Sequence, residues 1–306
     1  MAEDPRLSII VVSYNTREMT LDCLRSVHAE TTTPFELIVV DNASSDGSAE
    51  AIAAEFPDLH LMAETENHGF AKANNLAAKH ARAPYILLLN PDTVVLDGAL
   101  DALYAFSKDV PEARIWGGRS YYGDGSLNPK TCWQRITLWN LFCRASGLSG
   151  LGRNTMLFNP EAYGGWDRGE IREVDIVTGC LLLISRADWE SLGGFDLTFV
   201  MYGEEADLCH RARHLLHARP HITPAASIIH YEGASEKVRA DKMVRLNRAK
   251  VELIKRQFPS WQQSLARGLF ALWPLSRRII LGALGRPSAK DWAEIWRRRR
   301  EWNRGF

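Results

Sequence analysis

The chain has 306 residues, and its 37 basic side chains balance 37 acidic ones. Apolar residues make up 46% and charged residues 24%, which excludes a disordered chain and leaves enough apolar surface for a sizeable core. Five scattered cysteines, with no C-x-x-C pair, exclude a disulfide framework and a zinc ribbon and suit a reducing cytoplasm.

Residues 1–6 are polar and meet a strand at once, so no signal peptide is expected. Residues 7–12 (LSIIVV) are continuously apolar, the pattern of a strand buried on both faces. Residues 17–29 carry Met19, Leu21, Leu24 and Val27 at helical spacing. A strand is predicted at 36–40, then a turn and helix over 44–56 with Ser48 as N-cap. A short strand at 59–63, a helix at 70–81 and a strand at 85–89 follow. A helix at 98–108 leads into a strand beginning at 115–116. Such alternation implies right-handed βαβ units and a largely parallel sheet.

Residues 121–173 lack a clear period and read as loops with short elements. Residues 174–185 form one strand-like run interrupted by Gly179. A short helix at 187–192, a helix at 204–216 and a last strand at 222–230 come next. Beyond Gly233 the chain reads as helical and basic to its end.

The neutral total hides an asymmetry. Residues 236–306 hold 18 basic and 6 acidic side chains, against 19 basic and 31 acidic in the rest. The same stretch holds Trp261, Trp273, Trp292, Trp296 and Trp302, half of the ten tryptophans. Residues 269–284 are mostly apolar but are interrupted by Ser276, Arg277 and Arg278 and broken at Pro274, too much to span a bilayer. A basic helical region with interleaved aromatics predicts an interfacial contact with an anionic membrane. The bland alternative is a tail packed on its own domain. Nucleic acid is not expected as a partner, since no binding motif for it is present.

In open α/β sheets, ligands bind beyond the carboxyl ends of the strands. The first strand here ends in Ser13-Tyr14-Asn15, the second in Asp41-Asn42 and the fourth in Asn90-Pro91-Asp92, while Asn67 and Gly69 follow the third. Singly, each is an ordinary turn residue. Together they make a rim suited to a polar, charged small molecule. There is no G-x-G-x-x-G, no G-x-x-x-x-G-K-[ST] and no G-x-S-x-G, which argues against a dinucleotide enzyme, a P-loop enzyme and a serine hydrolase. A carboxylate at a strand end suits a divalent cation (Mg²⁺ or Mn²⁺) holding a diphosphate.

Seven segments, in order, carry a resemblance: SIIVVSYNT, VVDNASSDGS, ENHGFAKANN, LLLNPDTVV, GGFD, MYGEEADLCHRAR and IIHYEGAS, spanning roughly residues 7–235. The chain resembles the family 2 inverting glycosyltransferases, in particular their bacterial rhamnosyltransferase-like branch. The resemblance implies a GT-A fold, with a Rossmann-like donor-binding half at about 1–118, an acceptor half at about 119–235, and residues 236–306 as a basic amphipathic helical extension. It implies a nucleotide-diphosphate sugar donor, with L-rhamnose from dTDP-rhamnose expected, and a glycan or polyprenyl-linked saccharide acceptor. By position, Tyr14 and Asp41 would hold the base, with Ser13 and Asn15 beside them. Asn67, Gly69, Ala71 and Asn74 would line the nucleotide-sugar site. Asn90-Pro91-Asp92 corresponds to the family's D-x-D, so Asp92 would hold the metal, with His230 of H-x-x-G as a second ligand or a diphosphate contact. Glu204-Glu205 matches an E-D pair that carries the acceptor base, expected at Glu205. Asp207 would touch acceptor or support the site.

The expected activity is thus cell-envelope polysaccharide synthesis at the inner face of the cytoplasmic membrane, with the protein cytoplasmic and peripheral. The alternatives are the same fold with another UDP- or GDP-sugar, or a catalytically dead glycan-binding scaffold. A sugar nucleotidyltransferase would need a Gly-rich basic loop after the first strand, and Ser13-Tyr14-Asn15-Thr16 is not one.

Overall fold

The computed structural model describes residues 3–199, 201–231 and 239–306. The first elements are β1 (Leu7–Ser13), α1 (Arg17–Glu30), β2 (Phe35–Asp41), α2 (Ser48–Glu55), β3 (His60–Ala63), α3 (Gly69–Ala78) and β4 (Tyr85–Leu89). Then come β5 (Thr93–Val95), α4 (Ala99–Asp109), β6 (Ile115–Tyr121), β7 (Leu127–Asn128), β8 (Cys132–Trp133), α5 (Leu138–Ser146) and α6 (Leu148–Leu151). They are followed by β9 (Arg172–Glu173), β10 (Ile176–Val177), β11 (Leu181–Ser185), α7 (Arg186–Leu192), α8 (Glu204–Leu215) and β12 (His221–His230). The last four are α9 (Arg239–Gln257), α10 (Ser260–Ala283), α11 (Ala289–Arg297) and α12 (Arg299–Trp302).

The chain divides into two units. One comprises residues 1–132, 167–200 and 204–235, the other 133–166, 201–203 and 236–306. Residues 133–166 therefore group with the C-terminal region and not with the rest of the expected acceptor half. Gly233 and the expected boundary at 235/236 lie outside the described residues.

In the first unit the sheet order is β3-β2-β1-β4-β11-β6-β12-β5. β1 runs parallel to β2, pairing Ser13 with Asp41, and parallel to β4, pairing Val11 with Leu89. These three strands therefore end at one edge. β11 enters antiparallel between β4 and β6. Leu7, Ile9, Val11, Leu37, Val39, Leu87 and Leu89 form one buried face with Leu21 and Leu24 of α1 and Leu100, Leu103 and Phe106 of α4. On α3, Ala73 and Ala77 are fully buried, small enough for the helix to lie close to β1 and β2.

Local differences from the sequence reading have plain causes. The run at 174–185 splits into β10 and β11, with residues 178–180 as the bend. Ser48 does not cap α2: it is the first helical residue, Gly47 holds the cap position at φ 79°, and Asp46 Oδ1 accepts from the Ser48 amide at 3.1 Å. The three-residue β5 was too short to predict and is fixed by β12, which pairs His230 with Thr93.

In the second unit, α5 lies in the stretch that reads as loops with short elements. Its N-terminus carries a reciprocal cap: the Asn140 amide donates to Thr137 Oγ1 at 3.2 Å, and the Thr137 amide donates to Asn140 Oδ1 at 3.0 Å. Asn stands where Glu or Gln is usual, which hides the signal. Pro274 does not break α10, which runs through it. A proline inside a helix costs about 3 kcal/mol, and the burial of Phe270, Trp273 and Pro274 itself offsets that here. Trp273 meets Trp292 edge-on at 5.0 Å, and Trp302 meets Phe270 at 5.9 Å. Trp273, Trp292 and Trp302 are therefore core residues, which corrects the reading of five tail tryptophans as one interfacial anchor. Glu161 is buried between Arg144, at 2.9 Å, and Lys250. Despite its burial Glu161 stays low, because both cations hold it charged. Lys250 goes the other way, pushed down to about 8 by burial and the Arg144 charge, which outweigh Glu161. Among the described residues no helix is long and apolar enough to cross a membrane.

Candidate active site

The shared edge of β1, β2 and β4 gathers Tyr14, Asn15, Asp41, Asn90 and Asp92 among the expected residues. Asp41 is buried; its Oδ2 accepts from the Ser44 amide at 3.1 Å, while its Oδ1 has no hydrogen-bond partner. A buried carboxylate oxygen left this way is poised for a donor on a ligand. Tyr14 is exposed beside it. Asn15, at φ 53°, ties the two strand ends together: its amide donates to Ser44 Oγ at 2.9 Å and its Oδ1 accepts from the Ser45 amide at 2.8 Å.

Other expected rim residues face elsewhere. Ser13 is fully buried and hydrogen-bonds Thr20 at 2.8 Å and Thr16 at 3.2 Å. It shares the strand face of Leu7, Ile9 and Val11, which points under α1. Ala71 and Asn74 are buried in α3, and Asn74 Nδ2 donates to the Phe70 carbonyl at 2.9 Å. Asn67 Oδ1 is occupied within its loop, accepting from Asn42 Nδ2 at 3.0 Å and from the Gly69 amide at 2.8 Å. Asn42, named with Asp41 at the end of the second strand, also accepts from the His68 amide at 2.8 Å, so it stitches the end of β2 to the start of α3.

Asn90-Pro91-Asp92 follows β4. The β5–β12 pairing brings His230 there, placing its Nε2 3.2 Å from Asp92 Oδ1 and 3.3 Å from the Asn90 side-chain amide. Burial alone would lower the imidazole's pKa. The hydrogen bond to Asp92 and the neighbouring Cys180 sulfur overcome it, pushing His230 up to about 10. Among the described residues, no three His, Cys, Asp or Glu side chains converge as a complete metal centre. A carboxylate and an imidazole at one point still fit a divalent cation that takes its other ligands from water and a diphosphate.

α8 packs against β10. The bend after β10 passes Gly179, where a Cβ would lie 3.0 Å from the Phe70 ring, and Cys180, whose carbonyl accepts from the Asn90 amide at 3.3 Å. Glu204 is 4% exposed and its Oε2 has no hydrogen-bond partner. Burial first, and then the Glu205 charge, raise Glu204 well above the usual carboxylate range. Glu205 is half-buried. Asp207 is buried and pairs with Arg211 at 2.7 Å. Arg211 also donates to the carbonyls of Leu192, at 2.6 Å, and Gly194, at 2.8 Å, so the pair fastens the G-G-F-D turn to α8.

Asn75 holds that turn from α3, accepting from the Phe195 amide at 2.9 Å and donating to its carbonyl at 2.8 Å. Gly194, at φ +68°, leaves room for it: a Cβ there would sit 2.5 Å from Asn75 Oδ1. Asn75→Ala should therefore cost about 1–3 kcal/mol, with a matching fall in denaturation midpoint, because two backbone groups lose their partner. Chemical denaturation of the variant measures this.

Glu204 yields a pH prediction. A carboxyl raised on folding holds a proton in the native state that the unfolded chain has lost. Its stabilising share is complete below its unfolded pKa, near 4.5, and is lost as pH rises toward the raised folded value. Glu204→Gln should flatten this decline. Thermal melts of both proteins between pH 5 and pH 8 check it, and parallel curves would show that Glu204 does not carry the effect.

The chain belongs to glycosyl transferase family 2, whose model matches residues 8–167. It is 26% identical over 246 residues to an N-acetylglucosaminyl-diphospho-decaprenol L-rhamnosyltransferase of Mycobacterium tuberculosis, covering 75% of this chain and 77% of that one. It is 27% identical over 247 residues to the O-antigen biosynthesis protein RfbC of Myxococcus xanthus, covering 77% of this chain but 18% of that protein. In structure it is similar to the mannosyltransferase PcManGT from Pyrobaculum calidifontis, solved with GDP-Man and Mn²⁺ (TM-score 0.56, 19% identity, 94% of this chain and 78% of that one). It is likewise similar to S. aureus TarS 1–349 with UDP-GlcNAc (TM-score 0.54, 16% identity, 97% and 92%). The fold is thus the GT-A α/β fold, and the protein is a glycosyltransferase.

Proposed function

We propose that the protein transfers a sugar, with inversion, from a nucleotide-diphosphate donor to a prenyl-diphosphate-linked saccharide in envelope polysaccharide synthesis. The observation that carries this is the pairing of Asp92 with His230 just past β4. This carboxylate–imidazole pair suits a diphosphate, and an acid pair, Glu204 and Glu205, opens α8. L-rhamnose from dTDP-rhamnose is the proposed donor chemistry, supported by the M. tuberculosis relative's name.

Asp41 and Tyr14 receive the nucleobase, and Asn90 and Asp92 face the diphosphate. Two carboxyls that share a buried site do not both ionise readily. Glu204, the more buried, keeps its proton, so Glu205 carries the charge and takes the proton from the acceptor hydroxyl. The acceptor oxygen then bonds the anomeric carbon as the bond to the donor diphosphate breaks from the opposite face. A divalent cation held by Asp92 and His230 would neutralise charge on the leaving diphosphate. Imidazole beside carboxylate suits Mn²⁺ better than Mg²⁺. The C-terminal region supplies a peripheral contact with the anionic inner leaflet, which keeps the enzyme beside a lipid-linked acceptor.

A screen of dTDP-rhamnose, UDP-GlcNAc and GDP-mannose with a prenyl-diphosphate acceptor, with Mn²⁺ and with EDTA, tests the reading. Rhamnosyl transfer lost in EDTA is expected. Transfer from another sugar corrects the donor, and no turnover of any donor favours a binding scaffold.

A further inference from the structure

We propose that the exposed apolar face of α10 is the surface that enters an anionic membrane, and that the Arg297–Arg300 run is not. This rests on the reading of the C-terminal region as a peripheral membrane contact, and names its surface. Trp261, Leu265, Leu272 and Ile279 follow one another at spacings of 4, 7 and 7 residues, which sets them along one line of a helix. All four are exposed, Trp261 at 79%, Leu272 at 49% and Ile279 at 60%. Ala283 continues the line and is exposed too. The stripe runs nearly the whole 24-residue helix and is about 33 Å long. Among the described residues this face is uncovered, on a helix whose other side is core, with Ala266, Phe270 and Trp273 buried.

Charge selects the occupant. From Gln257 to Lys290 the chain has no acidic residue and five basic ones: Arg267, Arg277, Arg278, Arg286 and Lys290. Packing this face on a second copy would bring two arginine-bearing helices together with no acid on either. An anionic leaflet neutralises the exposed ones, Arg278, Arg286 and Lys290, and takes the apolar stripe into its acyl boundary. Trp261 stands at one end of the stripe, a residue enriched where membrane meets water. In the arginine run, by contrast, two of the four guanidinium groups are already engaged by acids, and Arg299 lies over the Trp296 ring. Arg297 pairs with Glu294 at 2.7 Å, and Arg298 with Glu301 at 2.8 Å and Asp241 at 2.5 Å.

Co-sedimentation with vesicles of phosphatidylcholine alone, or with added phosphatidylglycerol, tests the proposal. The full-length protein is compared with Leu272→Glu/Ile279→Glu and with Arg297→Gln/Arg299→Gln/Arg300→Gln. The wild type should bind phosphatidylglycerol vesicles and keep part of that binding in high salt. The face variant should bind at least about tenfold more weakly at low and high salt, and the arginine variant should bind within about twofold of the wild type. The face residues are exposed, and circular dichroism and sugar transfer to a water-soluble acceptor confirm that the variant is folded and active. If the arginine variant loses binding and the face variant keeps it, the membrane reading stands and the face assignment is overturned. If the wild type binds no vesicle, both are overturned. A wild-type dimer in light scattering that the face variant dissociates, without vesicle binding, assigns the face to a second copy and overturns the proposal.

Discussion

Replacing Glu205 by Gln should slow sugar transfer by about 10²–10⁴-fold while donor affinity stays near that of the wild type, the usual share of a general base. The amide keeps the size and most of the hydrogen bonding of the acid but cannot take up the acceptor's proton. Glu204→Gln should cost far less. The desolvated Glu204 is already held in its neutral form, which an amide imitates. Single-turnover rates and donor titrations on both variants decide the matter. The reverse ranking would place the base one residue earlier, on the carboxyl whose Oε2 is buried without a partner.

Asp92→Ala should cost about 10²–10³ in turnover, the scale seen when one electrostatic partner of a developing charge is removed. The protein should remain folded, because Asp92 lies in a strand-end turn and its main chain, which accepts from the Tyr231 amide at 3.0 Å, is unchanged. The variant also has a readout apart from activity. His230 loses the hydrogen bond that holds its proton, so its pKa should fall from about 10. A histidine raised on folding stabilises the native state fully below its unfolded pKa, near 6.5, and loses that share as pH rises toward the folded value. The alanine variant should therefore show a shallower loss of stability between pH 7 and pH 10. Unchanged turnover together with an unchanged stability profile would remove Asp92 from the proposed diphosphate site.

The parts of the fold that were legible are those where one pattern dominates. The runs at 7–12, 36–40 and 85–89 are apolar on both faces, and the sheet buries them on both faces. Helix α5 escaped notice because its cap uses Asn140 in place of the common acid or glutamine, and because its glycine-rich surroundings hide the period. In the site, Asp41, Asp92 and the pair Glu204-Glu205 were readable as acids at element ends. Ser13 was placed on the rim by its position in the chain, although its parity with Leu7, Ile9 and Val11 already put it on the inner face. The linker Asn75 has no distinguishing signal, since an asparagine that clasps backbone looks like any helix or turn asparagine. Charge arithmetic found the basic tail but could not say which tryptophans face inward. That depends on helix rotation, which in turn depends on partners elsewhere in the chain.

The pairing of Lys250 with Glu161 has a consequence for how the chain is made. Lys250 follows Glu161 by 89 residues. At about 5–20 residues per second, a ribosome takes about 4–18 s to travel between them. Throughout that interval the segment 133–166 has left or is leaving the ribosome without α9 and α10. The apolar side of α5 then has nothing from the tail to rest on, and Glu161 has Arg144 alone of its two cations. The first four strands of the α/β unit are made before this, and β11 and β12, which complete its sheet, are made during it, so the sheet is complete before α9 and α10 reach 133–166. Chains released early, through truncation or a premature stop after β12 and before residue 250, should therefore be caught by chaperones or proteases at 133–166, while the sheet is already formed.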